Sequence, residues 1–157
     1  MTAAAAPSLN RLAVSATNHC LTGCAAGEIV GLVLATRWGW DTVASISLAV
    51  TLAFAFAYAL TMRSLLVAGV PARRALRIAL AADTLSIIVM ETVDNGVILL
   101  VPGAMEAGLA DPLFWGSLAL GLGVAWLVAF PVNRWLLARG QGHALVSAHH
   151  SGHHGPP

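Results

Sequence analysis

The chain has 157 residues, 58% of them hydrophobic and 10% charged, with a formal net charge of +1. A soluble domain carries about 25% charged residues, so this chain lacks the polar surface to cover a water-exposed globule. Its near-neutral balance argues against the basic patch or stripe that nucleic-acid binding requires, and all eight of its basic side chains are arginines.

Residues 1–11 read as a short N-terminus with no basic side chain before Arg11. The apolar stretch that follows is too long for the core of a secretory signal, so it reads as a retained membrane span. Four spans are expected, near 12–36, 42–62, 78–101 and 113–134, each at or above the roughly 20 residues that cross the hydrocarbon. Pro102-Gly103 stops the third. Asp111-Pro112 opens the fourth as an N-cap followed by a proline at the first helical position, and Pro131 predicts a kink near its far end. The expected fold is an all-α integral membrane four-helix bundle.

With four spans, both ends and the middle loop share a side. That side collects Arg11, Arg63, Arg73, Arg74, Arg77, Arg134 and Arg139, and the other has only Arg37. The positive-inside rule then places both termini in the cytoplasm. Trp38, Trp40 and Trp115 fall at the outer interface and Trp135 at the inner one, as in an aromatic belt. Residues 70–77, with Pro71 at a helix start and three arginines, read as a solvated loop against anionic headgroups.

An internal repeat is one reading of the chain. Ser47-Leu48-Ala49 and Arg63 to Gly69 close the first half much as Ser117-Leu118-Ala119 and Arg134 to Gly140 close the second. Chance matches between leucine–alanine tracts are easy. If the halves are duplicates, they are two parallel helical hairpins related by an axis along the membrane normal.

The chemistry sits in two spans. The first carries His19, Cys20, Cys24 and Glu28, and the third carries Asp83, Met90, Glu91 and Asp94. An ionisable group at mid-bilayer costs roughly 2.5–3.5 kcal/mol on insertion scales, so these groups need a partner, a cation or water. At about 100° per residue, Cys20, Cys24, Gly27 and Gly31 share a sector with Glu28 at its edge; Asp83, Met90 and Asp94 share another, with Glu91 at its edge. The spacing Gly23-x-x-x-Gly27-x-x-x-Gly31 is a seam for close helix approach, expected to receive the third span. Cys24 would then sit level with Met90 and Glu91, and Glu28 with Asp94 and Asn95, gathering the thiols, thioether and carboxylates around one point. Thiolate and thioether suit Cu(I) and thiolate suits Zn, whereas carboxylate and amide oxygens suit harder cations or protons.

Plainer readings stand beside this one. A membrane cysteine commonly packs as a small apolar residue, and two in one helix, a turn apart, read as thiols rather than a disulfide. Met90 suits a core equally well. His19 points about 100° away from Cys20, so it either joins through a third helix or bonds a neighbouring span. Asp83 is close enough to Arg77 to reach the inner interface. Glu91 and Asp94 have no such escape and are the strongest functional candidates. The second and fourth spans, free of ionisable groups in their interiors, read as scaffold. In the tail after Gly142, His143, His149, His150, His153 and His154 lie among Gly, Ser and Pro, a composition that cannot pack a core and that binds transition metals.

The run His19 to Glu28, with Ala82-Asp83-Thr84, Met90-Glu91-Thr92-Val93-Asp94-Asn95, Phe130 to Trp135 and Gly142-His143-Ala144, resembles a bacterial membrane-protein family, domain of unknown function 4396. The resemblance runs from about Leu12 to His143 and implies a small multi-span bacterial membrane protein with no established activity; the bacterial cytoplasmic (inner) membrane is the expected location. The expected function is binding or transport of a transition-metal ion, Cu or Zn, or of another cation or a proton. Rival expectations are a membrane assembly or thiol-redox factor for a partner complex, and a structural subunit. The expected partners are the lipid bilayer and further copies of the chain. No nucleotide loop or Ser-His-Asp arrangement marks it as a hydrolase.

Overall fold

The computed structural model describes residues 8–139. Four helices follow in order: α1 (Leu9–Trp38), α2 (Thr42–Val67), α3 (Ala72–Leu100) and α4 (Pro112–Ala138). The described residues contain no strand. Their ends follow local chemistry. Helix α1 stops at Gly39, whose φ of 66° is left-handed backbone that a residue without a Cβ adopts freely. Asp41 caps α2 by accepting from Val43 N and Ala44 N, and Asp111 caps α4 by accepting from Leu113 N, with Pro112 at the helix start.

The elements overrun the expected spans. Helix α2 continues through Arg63 to Val67, and α4 runs unbroken across Pro131. Helix α3 begins at Ala72 behind Pro71, so Arg73, Arg74 and Arg77 belong to its first turns and not to the solvated loop expected there. Proline fits just outside the helix, where its missing N–H is not needed. The expected His-rich tail, His143 and His149 to His154, lies outside the described residues.

The bundle is two hairpins. Helix α1 packs most extensively on α2 and α3 on α4, α1–α4 and α2–α3 close the ring, and α1 meets α3 only sparsely across the middle. Arg134 Nε donates to Asn10 Oδ1 at 2.7 Å, fixing the start of α1 beside the end of α4. Seven arginines therefore cluster at one end, hereafter the basic end, and Trp38, Trp40 and Trp115 at the other, the tryptophan end.

The glycine seam of α1 corrects one expectation. A Cβ at Gly23 would meet Ala57 Cα at 2.5 Å, one at Gly31 would meet Ala49 Cα at 2.5 Å, and one at Gly27 would strike the backbone of Leu52 and Ala53. The seam thus receives α2, not α3. A three-residue turn makes α2 the nearest neighbour of α1, and Ala49, Ala53 and Ala57 supply a matching small face at four-residue spacing.

The exterior is apolar, and the interior holds acids and other polar groups among small apolar side chains. Outward-facing side chains include Val30, Phe56, Leu80, Ile88, Leu120 and Leu127, while Thr17, Glu28, Asp83, Glu91, Asp94 and Asn133 are buried. This inverts a soluble bundle and matches a lipid-facing one. Helices α1, α2 and α4 are each long and apolar enough to cross a membrane. Helix α3 falls short of that measure because Asp83, Glu91 and Asp94 all lie within it.

Candidate cation site in the bundle core

Helices α1 and α3 both start at the basic end, so their polar positions advance in step. Nearest that end, Asn133 Nδ2 donates to Thr17 Oγ1 at 2.9 Å, joining α4 to α1 in a fully buried contact. Beside it His19 Nε2 lies 3.1 Å from Thr61 Oγ1 of α2. Asp83 sits next to the same threonine, buried rather than extended to the arginines at the interface. His19 thus bonds a neighbouring helix and does not join the thiols.

One turn further, Ser86 Oγ donates to Cys20 Sγ at 3.4 Å. Cys20 and Cys24 are free thiols that touch each other. They form the middle of the core with Met90, Ile87 and the alanines of α2 and α4. Cys24 also lies against Glu91. Another turn on, the side chains of Glu28 and Asp94 meet across the diagonal. Both residues are 1% exposed. Asn95 Nδ2 donates to Glu91 O at 2.9 Å, tying the next residue back to the helix.

The groups are therefore strung along the bundle axis and not gathered around one point, as expected from their shared sectors. Among the described residues no three His, Cys, Asp or Glu side chains converge closely enough to hold a metal ion. The reason is helical geometry: successive inward positions on one helix lie three or four residues apart, so each successive position is displaced by about 4.5–6 Å along the axis. Two facing helices of this kind make a column of pairs.

Six buried carboxylate oxygens in that column have no hydrogen-bond partner among the described residues: both of Glu28, both of Asp94, Asp83 Oδ2 and Glu91 Oε2. Two ionised carboxylates in contact repel, and each is poorly solvated in a buried position. A proton or cation between them satisfies both. Helix α4, expected to be scaffold, takes part here. Gly121 faces Asp94 so closely that a Cβ would overlap Oδ1 and would come within 3.1 Å of Asp94 Cγ.

Ser86, Thr61 and Thr17 went unrecognised in the sequence; Asn133 entered only within the resembling run, and Gly121 reads from the sequence as a close-packing glycine with no partner assigned. Their signal was present as four-residue spacing of small and polar residues: Ser117, Gly121, Ala125, Ala129 and Asn133 on α4, and Ser45 through Thr61 on α2.

An apolar exterior around a buried acid column defines a small all-α membrane protein. The chain matches the family model described as Domain of unknown function (DUF4396) over residues 10–142, and it belongs to that family. No curated protein and no solved structure matches the chain.

Proposed function

We propose that the protein carries a cation across the bilayer along the acid column, with the Glu28–Asp94 pair as its principal binding point. The observation behind this reading is the set of six unpartnered carboxylate oxygens in a lipid-facing bundle. Protons fit the column well, because a carboxylate binds one without a closed coordination shell, and groups a single turn apart, about 4.5–6 Å, exchange protons through one bridging water. A soft transition-metal ion, Cu(I) or Zn, is the second reading. It is favoured by the contact of Cys24 with Glu91 and by the place of both thiols and Met90 in the same core cluster.

On this reading all four helices cross the membrane. Helix α3 keeps its acids inside and presents Leu76, Leu80, Leu85, Ile88, Leu99 and Leu100 outward. The arginine-rich end faces the cytoplasm of a bacterial inner membrane. The column is enclosed within one chain, so the path does not depend on a homo-oligomer.

The test is flux in vesicles holding this protein alone. Proton uptake driven by a membrane potential, and Zn uptake in parallel, are expected for the wild type and lost in Glu91→Gln with Asp94→Asn. Elemental analysis of bound Cu and Zn, compared with Cys20→Ser/Cys24→Ser, separates the two cargoes. Vesicles as tight as protein-free ones to both ions defeat the reading.

A further inference from the structure

At the tryptophan end a cavity of about 190 Å³ opens between the four helices and the 101–111 loop. At about 30 Å³ per water this is room for roughly six, the scale of a small hydrated cation. Its wall combines Asn95, Ser45 and Ser117 with Trp40, Leu32 and Glu106, and among the described residues no basic side chain lines it. Ser45 and Ser117 donate their hydroxyl hydrogens to helix carbonyls, Asp41 O and Leu113 O at 2.8 Å each, which leaves oxygen lone pairs for a ligand. The Asn95 amide nitrogen is likewise engaged, with Glu91 O.

Three helices independently relate this cavity to the acid pair. On α1, Leu32 lines the cavity and Glu28 lies one turn deeper. On α4, Ser117 lines it and Gly121, against Asp94, lies one turn deeper. On α3, Asn95 lines it and directly follows Asp94. The pair is 1% exposed and has no partner among the described residues for any of its four oxygens.

We infer that this cavity is a cation vestibule, which receives a small hydrated cation from the tryptophan end and passes it to Glu28 and Asp94. The inference deepens the carrier reading and rests on it only for what happens beyond the pair. Oxygen dipoles and the Glu106 carboxylate at the wall, with the acid pair beneath and no basic side chain among the described lining residues, favour cations over anions in the vestibule. Such a cleft raises the arrival rate of cations by about tenfold or more.

The experiment places a single thiol, Ser45→Cys or Ser117→Cys, in a Cys20→Ser/Cys24→Ser background that elutes as folded protein. Membrane-impermeant methanethiosulfonates of opposite charge, a trimethylammonium and a sulfonate reagent, are applied to oriented vesicles. Rates are normalised to a free thiol. The trimethylammonium reagent is expected to react about tenfold faster or more, only from the tryptophan face, with the preference reduced in Asp94→Asn and Glu106→Gln. Equal normalised rates, reaction from the basic face, or no reaction at either position overturns the vestibule. A charge-selective vestibule in a protein without flux removes the carrier function and leaves the vestibule standing, so the two failures are distinguishable.

Discussion

Gly121 of α4 gives its side-chain space to the carboxylate of Asp94 on α3. At this point of the α3–α4 contact an acid sits against bare backbone. An alanine at 121 must displace the Asp94 carboxylate from its present seat. Gly121→Ala is expected to destabilise the bundle by about 1–3 kcal/mol, the usual range for overpacking, and to reduce flux. Gly123→Ala, where a Cβ meets nothing within 4 Å, is the control and should leave melting and flux unchanged. Thermal unfolding in detergent and vesicle flux on both variants check this.

The α1–α2 seam makes a second prediction. A Cβ at Gly27 collides with the Leu52–Ala53 peptide, which is backbone and cannot rotate aside. Gly27→Ala is expected to destabilise by at least the same order, about 1–3 kcal/mol. Gly96→Ala, in open space, should be neutral. Equal melting temperatures for the two variants would show that the hairpin contact is looser than the structure has it.

That seam also shows how much was legible in the sequence. Gly23, Gly27 and Gly31 announced a close helix contact, and the pattern of two thiols and four acids announced the inward faces of α1 and α3. Both signals are local periodicities, and the close contact and the inward faces both survive folding, though the expected partner of the seam does not. The partner of the seam is a matter of connectivity and volume. The short turn at Gly39 to Asp41 brings back α2, whose Ala49, Ala53 and Ala57 admit the glycines, and that fixes α1 and α3 as a diagonal. Depth matching still paired Cys24 with Glu91 and Glu28 with Asp94, because both helices rise from the same end. Convergence on one metal point was not legible from sectors alone, since a shared sector says nothing of axial spacing. The share of α4 in the site was hidden because a glycine that makes room for an acid has no chemistry of its own.

A third prediction concerns the basic end. Asn133 and Thr17 form a buried hydrogen bond between α4 and α1, and Thr17 Oγ1 in turn donates to Ala13 O at 2.8 Å. Interhelical hydrogen bonds in membranes couple by about 0.6 kcal/mol on average and up to about 1.7 kcal/mol. A double-mutant cycle of Asn133→Leu and Thr17→Val should return a coupling in that range. A coupling of zero would mean that these residues only pack.

The last prediction separates a binding pair from a structural one. Glu28 and Asp94 bring four acceptor oxygens together, and none of the four has a donor among the described residues. Glu28→Gln keeps the shape of the side chain, removes one negative charge and adds an N–H₂ that can donate to the Asp94 carboxylate. A hydrogen bond of this kind, made to a charged group, contributes about 1.5–3 kcal/mol. Glu28→Gln is therefore expected to melt at the wild-type temperature or above it. Asp94→Asn should do the same, its amide donating to Glu28, although the tight seat against Gly121 leaves it less freedom to turn. Flux is expected to disappear in both, because the pair then holds its own donor and no longer needs a cation. The combination of raised stability and lost flux is what a site built for a cation predicts. Unchanged flux with raised stability would make the acids passive. Lowered stability in both amides would mean that the carboxylates are held by contacts other than each other. Melting curves in detergent and vesicle uptake on the two single variants decide among these outcomes.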